Sequence, residues 1–107
     1  MKPKAASASR GGAPRGAARV HTIFHGRVQG IGFRWRVQKL ALERAASGWV
    51  RNRRDGTVEL EAEGGEASLR ALLEAVEKAF RSGIDGRDDR WIPPRGESTP
   101  FRILPTE

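Results

Sequence analysis

An α+β fold, with two helices covering one face of an antiparallel sheet, is what the 107-residue sequence predicts, and three features carry the prediction. Apolar residues recur at helical spacing in two separate stretches, one built on Phe33, Val37, Leu40 and Ala41, the other on Leu69, Leu72, Leu73, Val76 and Phe80. Thr57-Val58-Glu59-Leu60-Glu61-Ala62-Glu63 alternates in polarity with period two, the pattern of a strand with one buried face. Arg53-Arg54-Asp55-Gly56, just ahead of it, reads as a hairpin turn, so two antiparallel strands stand between the helices. With a strand before the first helix and one after the second, the order is β-α-β-β-α-β plus a short terminal strand, the split β-α-β arrangement.

Residues 1–19 are set apart by composition. They are Ala, Gly, Ser, Pro and Arg with almost nothing to bury, and are expected to form a disordered basic tail. Lys2, Lys4, Arg10, Arg15 and Arg19 lie there without an acid and supply most of the net charge of +7. The other 15 of the 20 basic residues share 20–107 with all 13 acidic ones, a near balance. Nucleic acid is therefore expected only as a nonspecific contact of the tail. Residues 20–107 form a single domain, long enough for one two-layer core. Cysteine is absent, which excludes disulfides and thiolate metal sites. No stretch is apolar enough to cross a bilayer and the N-terminus lacks the apolar core of a secretory signal, so a cytoplasmic protein without a membrane partner is expected.

The first strand is read at 20–25, where Val20, Thr22, Ile23 and Phe24 are β-branched or aromatic. A glycine-rich turn, 26–32, leads into a helix over 33–46 with Ser47-Gly48 as its stop. Strands at 49–52 and 57–63 form the hairpin, Gly64-Gly65 interrupts the alternation, and a second helix spans 66–81. Residues 82–98 are poor strand material, with Asp, Arg, Gly and Pro around Ile84, Trp91 and Ile92. A weak edge strand is placed at 87–92, ended by Pro93-Pro94. After a loop over 95–100, Phe101-Arg102-Ile103-Leu104 closes the sheet.

Chemistry is concentrated in Gly26-Arg27-Val28-Gln29-Gly30-Ile31-Gly32-Phe33-Arg34, where a strand turns into a helix. The first N–H groups of a helix have no intrahelical partner and its dipole is positive at that end, so a phosphate or carboxylate is stabilised there. Glycines let backbone N–H groups approach such an anion closely and form a concave nest. Arg34 adds a permanently charged fork beside it. No Gly-Lys-Ser or Gly-Lys-Thr closes the turn, and Trp35 stands where a dinucleotide fingerprint needs its third glycine, so both nucleotide motifs are excluded.

Taken with Gly48-Trp49-Val50-Arg51-Asn52 and Asp55-Gly56-Thr57-Val58-Glu59, this turn resembles the acylphosphatase family. The likeness continues through Ala62-Glu63-Gly64, the second helix, Trp91 to Pro94 and a final Phe101-Arg102-Ile103, covering essentially 20–104. It implies a ferredoxin-like fold and a metal-independent acylphosphatase, without cofactor, that hydrolyses the carboxyl-phosphate bond of small acyl phosphates. It also implies that Arg34 binds the substrate phosphate together with the loop N–H groups of Arg27, Val28, Gln29, Gly30, Ile31 and Gly32, and that Asn52 orients the attacking water. A monomer is expected, with acyl phosphate and phosphate ions as partners.

Two other functions share some of these features. A non-catalytic anion-binding module would keep the cradle and hydrolyse nothing. An RNA-recognition module has the same element order, but it stacks bases on strand aromatics where this chain offers Glu59, Glu61 and Glu63. Those glutamates are read as a solvated strand face. His21 and His25 share a strand face without a third ligand for a metal and are read as surface or half-buried residues. Arg27 either adds positive potential to the cradle or points to solvent, and Trp35 and Trp49 are read as core or rim packing. Arg87 and Asp89 stand where the family pattern leads one to expect valine-like residues, so the fourth strand is expected to fray or shift.

Overall fold

The computed structural model describes residues 16–107. In chain order the elements are β1 (Ala17–Gly26), α1 (Phe33–Glu43), β2 (Ser47–Asn52), β3 (Val58–Gly65), α2 (Glu66–Ala79), β4 (Ile84–Ile92) and β5 (Arg102–Ile103). They build one sheet in the order β4-β1-β3-β2-β5, so β1-α1-β2 and β3-α2-β4 each skip over one strand, as the split arrangement requires. All pairs are antiparallel except β2 with β5, which makes the expected antiparallel sheet a mixed one at its last edge. Both helices touch each other and the sheet, and therefore cover the same face.

A single core fills the space between sheet and helices. Val20 and Phe24 of β1, Val50 of β2, and Val58, Leu60 and Ala62 of β3 meet Phe33, Val37 and Ala41 of α1 and Leu69, Leu72, Leu73 and Val76 of α2. The ring of Phe33 lies 5.2 Å from that of Phe24, edge to face, and 4.7 Å from that of Phe80. Such pairs add about 0.5–1.5 kcal/mol each beyond their buried area. They also pin the first residue of α1, and with it the neighbouring Arg34.

Several boundaries differ from expectation for identifiable reasons. Helix α1 stops at Glu43, three residues early, because Ala45 takes a positive φ of 55°. Ala46 N–H donates to Ala41 O at 3.0 Å and Ala45 N–H to Leu42 O at 3.1 Å, a Schellman reversal with alanine where glycine is usual. Gly48, read as the helix stop, belongs instead to β2. Its φ is 130°, and a Cβ there would sit 1.9 Å from Glu61 O, so the strands can pair only if this residue has no side chain. Gly64 and Gly65 extend β3 rather than interrupting it. Strand β4 is longer than 87–92 and pairs with β1 from Arg19 opposite Ile92 to Gly26 opposite Ile84, with a bulge between His25 and Gly26. Its polar composition is absorbed by partners on neighbouring elements: Thr22 donates to Asp89 at 2.9 Å, Arg87 reaches Glu77 of α2 at 3.2 Å, and Arg70 of α2 lies 4.6 Å over the Trp91 ring. The expected fraying is not found.

The basic tail also ends earlier than expected. Strand β1 begins at Ala17, and Arg19, counted with the tail, is 1% exposed in the sheet. The rest of that expectation, residues 1–15, lies outside the described residues. Glu59, Glu61 and Glu63 are not a solvated face either, because the loop following β4 crosses it. Arg19 donates to Glu61 at 2.6 Å, Glu63 at 2.8 Å and Glu97 at 3.0 Å, and Glu63 accepts the N–H groups of Arg95 and Gly96 at 2.8 and 2.7 Å. Burial alone would push the Arg19 guanidinium pKa down, and its three carboxylate partners more than reverse this. Glu59 lies between His21 at 2.7 Å and Arg51 at 2.9 Å, which outweigh burial and hold its pKa below the ordinary value. His25 pairs with Asp88 at 2.7 Å.

Candidate active site

Strands β1 and β2 both run antiparallel to β3, so they are parallel to each other and end at the same edge of the sheet. Phe24 and Asn52 both pair with Val58, which sets them in one row, about 10 Å apart at the sheet's strand spacing. The glycine turn leaves the first strand at this edge and the hairpin leaves the second. Asn52 follows Val50 by two residues and therefore faces the helix side of the sheet, the side on which α1 starts.

The turn is anchored at both ends and open between them. At its start Arg27 N–H donates to Gly83 O at 2.8 Å. At its end Gly32 caps α1 in the left-handed region, φ 78°, with no side-chain cap, and the first helical bond runs from Arg36 N–H to Gly32 O at 3.0 Å. Gly30 is left-handed too, φ 77°, a conformation that costs an L-residue about 1–2 kcal/mol. Between these anchors the N–H groups of Val28, Gln29, Gly30, Ile31 and Gly32, and those of Phe33, Arg34 and Trp35 in the first helical turn, find no acceptor among the described residues. A run of unpaired donors at a helix start is an anion site in waiting. Arg27 is the exception among the residues expected to supply N–H groups, since its own is spent on Gly83 and its side chain is exposed.

Arg34 is half-buried in the first turn of α1, and no carboxylate pairs with it among the described residues, whereas Arg19, Arg51, Arg53, Arg87 and Arg102 all have such partners. It lines a cleft of about 200 Å³ together with Val28, Gly30, Gly32, Trp35 and Ile103. Asn52 ends β2, and its side-chain Oδ1 is buried without a hydrogen-bond partner among the described residues. A buried acceptor left so costs about 1–3 kcal/mol, which marks it as a group kept for something other than stability.

Gln29 joins the two halves of the site. Its side-chain Nε2 donates to Arg53 O at 2.7 Å and to Thr57 O at 2.9 Å, both in the hairpin that follows Asn52. The hairpin is itself tightened by Asp55, which accepts from Thr57 N–H at 3.0 Å and Thr57 Oγ1 at 2.6 Å; these bonds hold the Asp55 carboxyl below its ordinary pKa. Sequence reasoning saw only the backbone of Gln29. The available signal was an amide side chain, with two donors, set among glycines that hold no side chain of their own. Trp35, expected to pack, is 62% exposed at the cleft, while Trp49 is half-buried with Arg51 lying 5.0 Å over its ring. Among the described residues no three His, Cys, Asp or Glu side chains gather as metal ligands do, and no helix is long and apolar enough to cross a membrane.

A family model described as Acylphosphatase matches residues 20–103. An acylphosphatase of Geobacillus thermodenitrificans is 49% identical over 92 residues, covering 80% of this chain and 93% of that protein. The acylphosphatase of Geobacillus kaustophilus is 45% identical with the same coverage. Among solved structures, the crystal structure of acylphosphatase from Bacillus subtilis superposes with a TM-score of 0.76 at 38% identity, covering 81% of this chain and 98% of that one.

Proposed function

Since the chain belongs to the acylphosphatase family and is a hydrolase of acyl phosphates, we propose that Arg34 and the N–H groups of the turn hold the phosphoryl group while Asn52 presents the attacking water. The supporting observation is one juxtaposition: unpaired N–H groups and a cation on one side of a latch, an unpartnered amide oxygen on the other.

The chemistry follows from the leaving group. A carboxylate, whose conjugate acid has a pKa of about 4, departs without being protonated, so the reaction needs no general acid and the site no histidine. The water oxygen bonds to phosphorus while the bond from phosphorus to the acyl oxygen breaks, its electron pair staying on the carboxylate. Dihydrogenphosphate keeps both water protons until it equilibrates with solvent. Charge in the transition state lies on the equatorial phosphoryl oxygens, where a guanidinium and backbone donors held in place beforehand stabilise it most. Asn52 Oδ1 accepts a hydrogen bond from the water and fixes its line of approach, and being no base it adds position rather than proton transfer.

The partners are then small acyl phosphates handled by a cytoplasmic monomer. Lys2, Lys4, Arg10 and Arg15 are left for nonspecific contact with nucleic acid. The test is benzoyl phosphate hydrolysis by native and Arg34→Ala protein, with and without chelator. Arg34→Ala is expected to lose at least about a thousandfold in kcat/KM with an unchanged circular dichroism spectrum, and chelator to change nothing. Native-like turnover by Arg34→Ala refutes the assignment.

A further inference from the structure

We propose that Trp35 and Ile103 form the wall that receives the acyl group, so that the preferred substrates are acyl phosphates with an aromatic or bulky apolar acyl part. This rests on the phosphoryl-binding role given to Arg34. Trp35 is 62% exposed and Ile103 37%, and both line the same cleft as Arg34, Gly30 and Gly32. Large apolar side chains left in contact with water beside an anion site mark a surface that a ligand covers. The two come from distant segments, the first turn of α1 and the edge strand β5, and meet only because β5 docks parallel to β2.

The lining also bears on the acyl group. Arg34 is the one ionisable side chain that lines the cleft, and the phosphoryl group uses it, so the rest of the lining is apolar side chain and glycine. At about 200 Å³ the cleft is smaller than the 300–1,000 Å³ typical of drug-sized ligands and admits a single small molecule. Lys39 lies 5.9 Å over one side of the Trp35 ring, which leaves the other side for the ligand.

The experiment compares kcat/KM for benzoyl and acetyl phosphate in native protein and in Trp35→Ala, Trp35→Phe and Ile103→Ala. Reading each variant as a change in the benzoyl-to-acetyl ratio cancels the different intrinsic reactivities of the two anhydrides. Trp35→Ala should lower the ratio about tenfold and Ile103→Ala about threefold, the open side of the cleft keeping both below the discrimination of an enclosed pocket. Trp35→Phe should restore most of it. Equal losses on both substrates, or a ratio that does not move in Trp35→Ala, would overturn the proposal. Failure of the underlying reading looks different: Arg34→Ala protein that still hydrolyses acetyl phosphate removes the phosphoryl assignment whatever Trp35 does.

Discussion

Replacing Arg19 by methionine should destabilise the domain by about 3 kcal/mol. Its guanidinium is 1% exposed and meets Glu61 at 2.6 Å, Glu63 at 2.8 Å and Glu97 at 3.0 Å. Removing one member of a buried pair costs roughly 3–5 kcal/mol, because the opposite charge stays behind without its partner. The low end applies here. Glu63 keeps the N–H groups of Arg95 and Gly96, Glu61 keeps Arg95 at 3.5 Å, and Glu97 keeps Thr99 and Arg102. Methionine refills much of the aliphatic stem, so a cavity adds little. A domain of this size loses roughly 4–8 °C in Tm per kcal/mol, and the melting temperature followed by circular dichroism at pH 7 should fall by about 15 °C. Amide exchange in residues 93–100 should quicken in step, since Arg19 is the post to which that loop is tied. The double variant Arg19→Met with Glu61→Leu, which removes a stranded charge, should recover at least about 1 kcal/mol. A fall of less than about 4 °C would refute the reasoning, as it would mean that desolvation of the cluster consumes all of its Coulombic gain.

Acid should loosen the same loop. Burial pushes the Glu97 carboxyl up, but hydrogen bonds from Thr99, Arg102 and Arg19 bring it down from 4.5 to about 2. A folded-state pKa below the unfolded one contributes stability that is present above about pH 4.5 and lost as the pH falls toward 2; the linkage ceiling is about 3 kcal/mol, and solvent screening at the loop leaves about 1. Glu63, held below its ordinary value against burial by Arg95 N–H, Arg19 and Gly96 N–H, acts in the same direction. Urea unfolding between pH 2 and 7 checks this, and a stability that does not drop below pH 4.5 contradicts it. Gln29→Ala should release the turn from the hairpin and lower kcat for benzoyl phosphate by at least about tenfold without unfolding the domain. Gln29→Glu, of the same shape but without donors toward Arg53 O and Thr57 O, should be no better, and a native rate in either would show that the latch positions nothing.

The core was legible because its signals are local. Spacing along the chain picked out Val20, Phe24, Val37, Leu60, Leu69 and Val76, and all are buried. The glycine turn leading into the first helix was legible for the same reason, since its glycines, the helix start and Arg34 are contiguous. What escaped depends on segments far apart in sequence. Gly48 looks like a helix stop until Glu61 O is found where its side chain would be. Residues 84–92 look like no more than a weak strand over 87–92 until Thr22, His25 and Glu77 supply partners for Asp89, Asp88 and Arg87. Glu61 and Glu63 look solvated until the loop of 93–100 lies over them, and Arg19 looks like one more tail charge until it is placed between them. The Gln29 latch exists only because β1 and β2 share β3 as a neighbour.

The central claim is that Arg34 and the turn grip the phosphoryl group while Asn52 handles the water, and steady-state kinetics of Asn52→Ala separate these roles. The account predicts that kcat for benzoyl phosphate falls at least about a hundredfold, while inorganic phosphate still inhibits with a constant within about threefold of native. A kcat near the native value, or phosphate inhibition lost along with turnover, would contradict it.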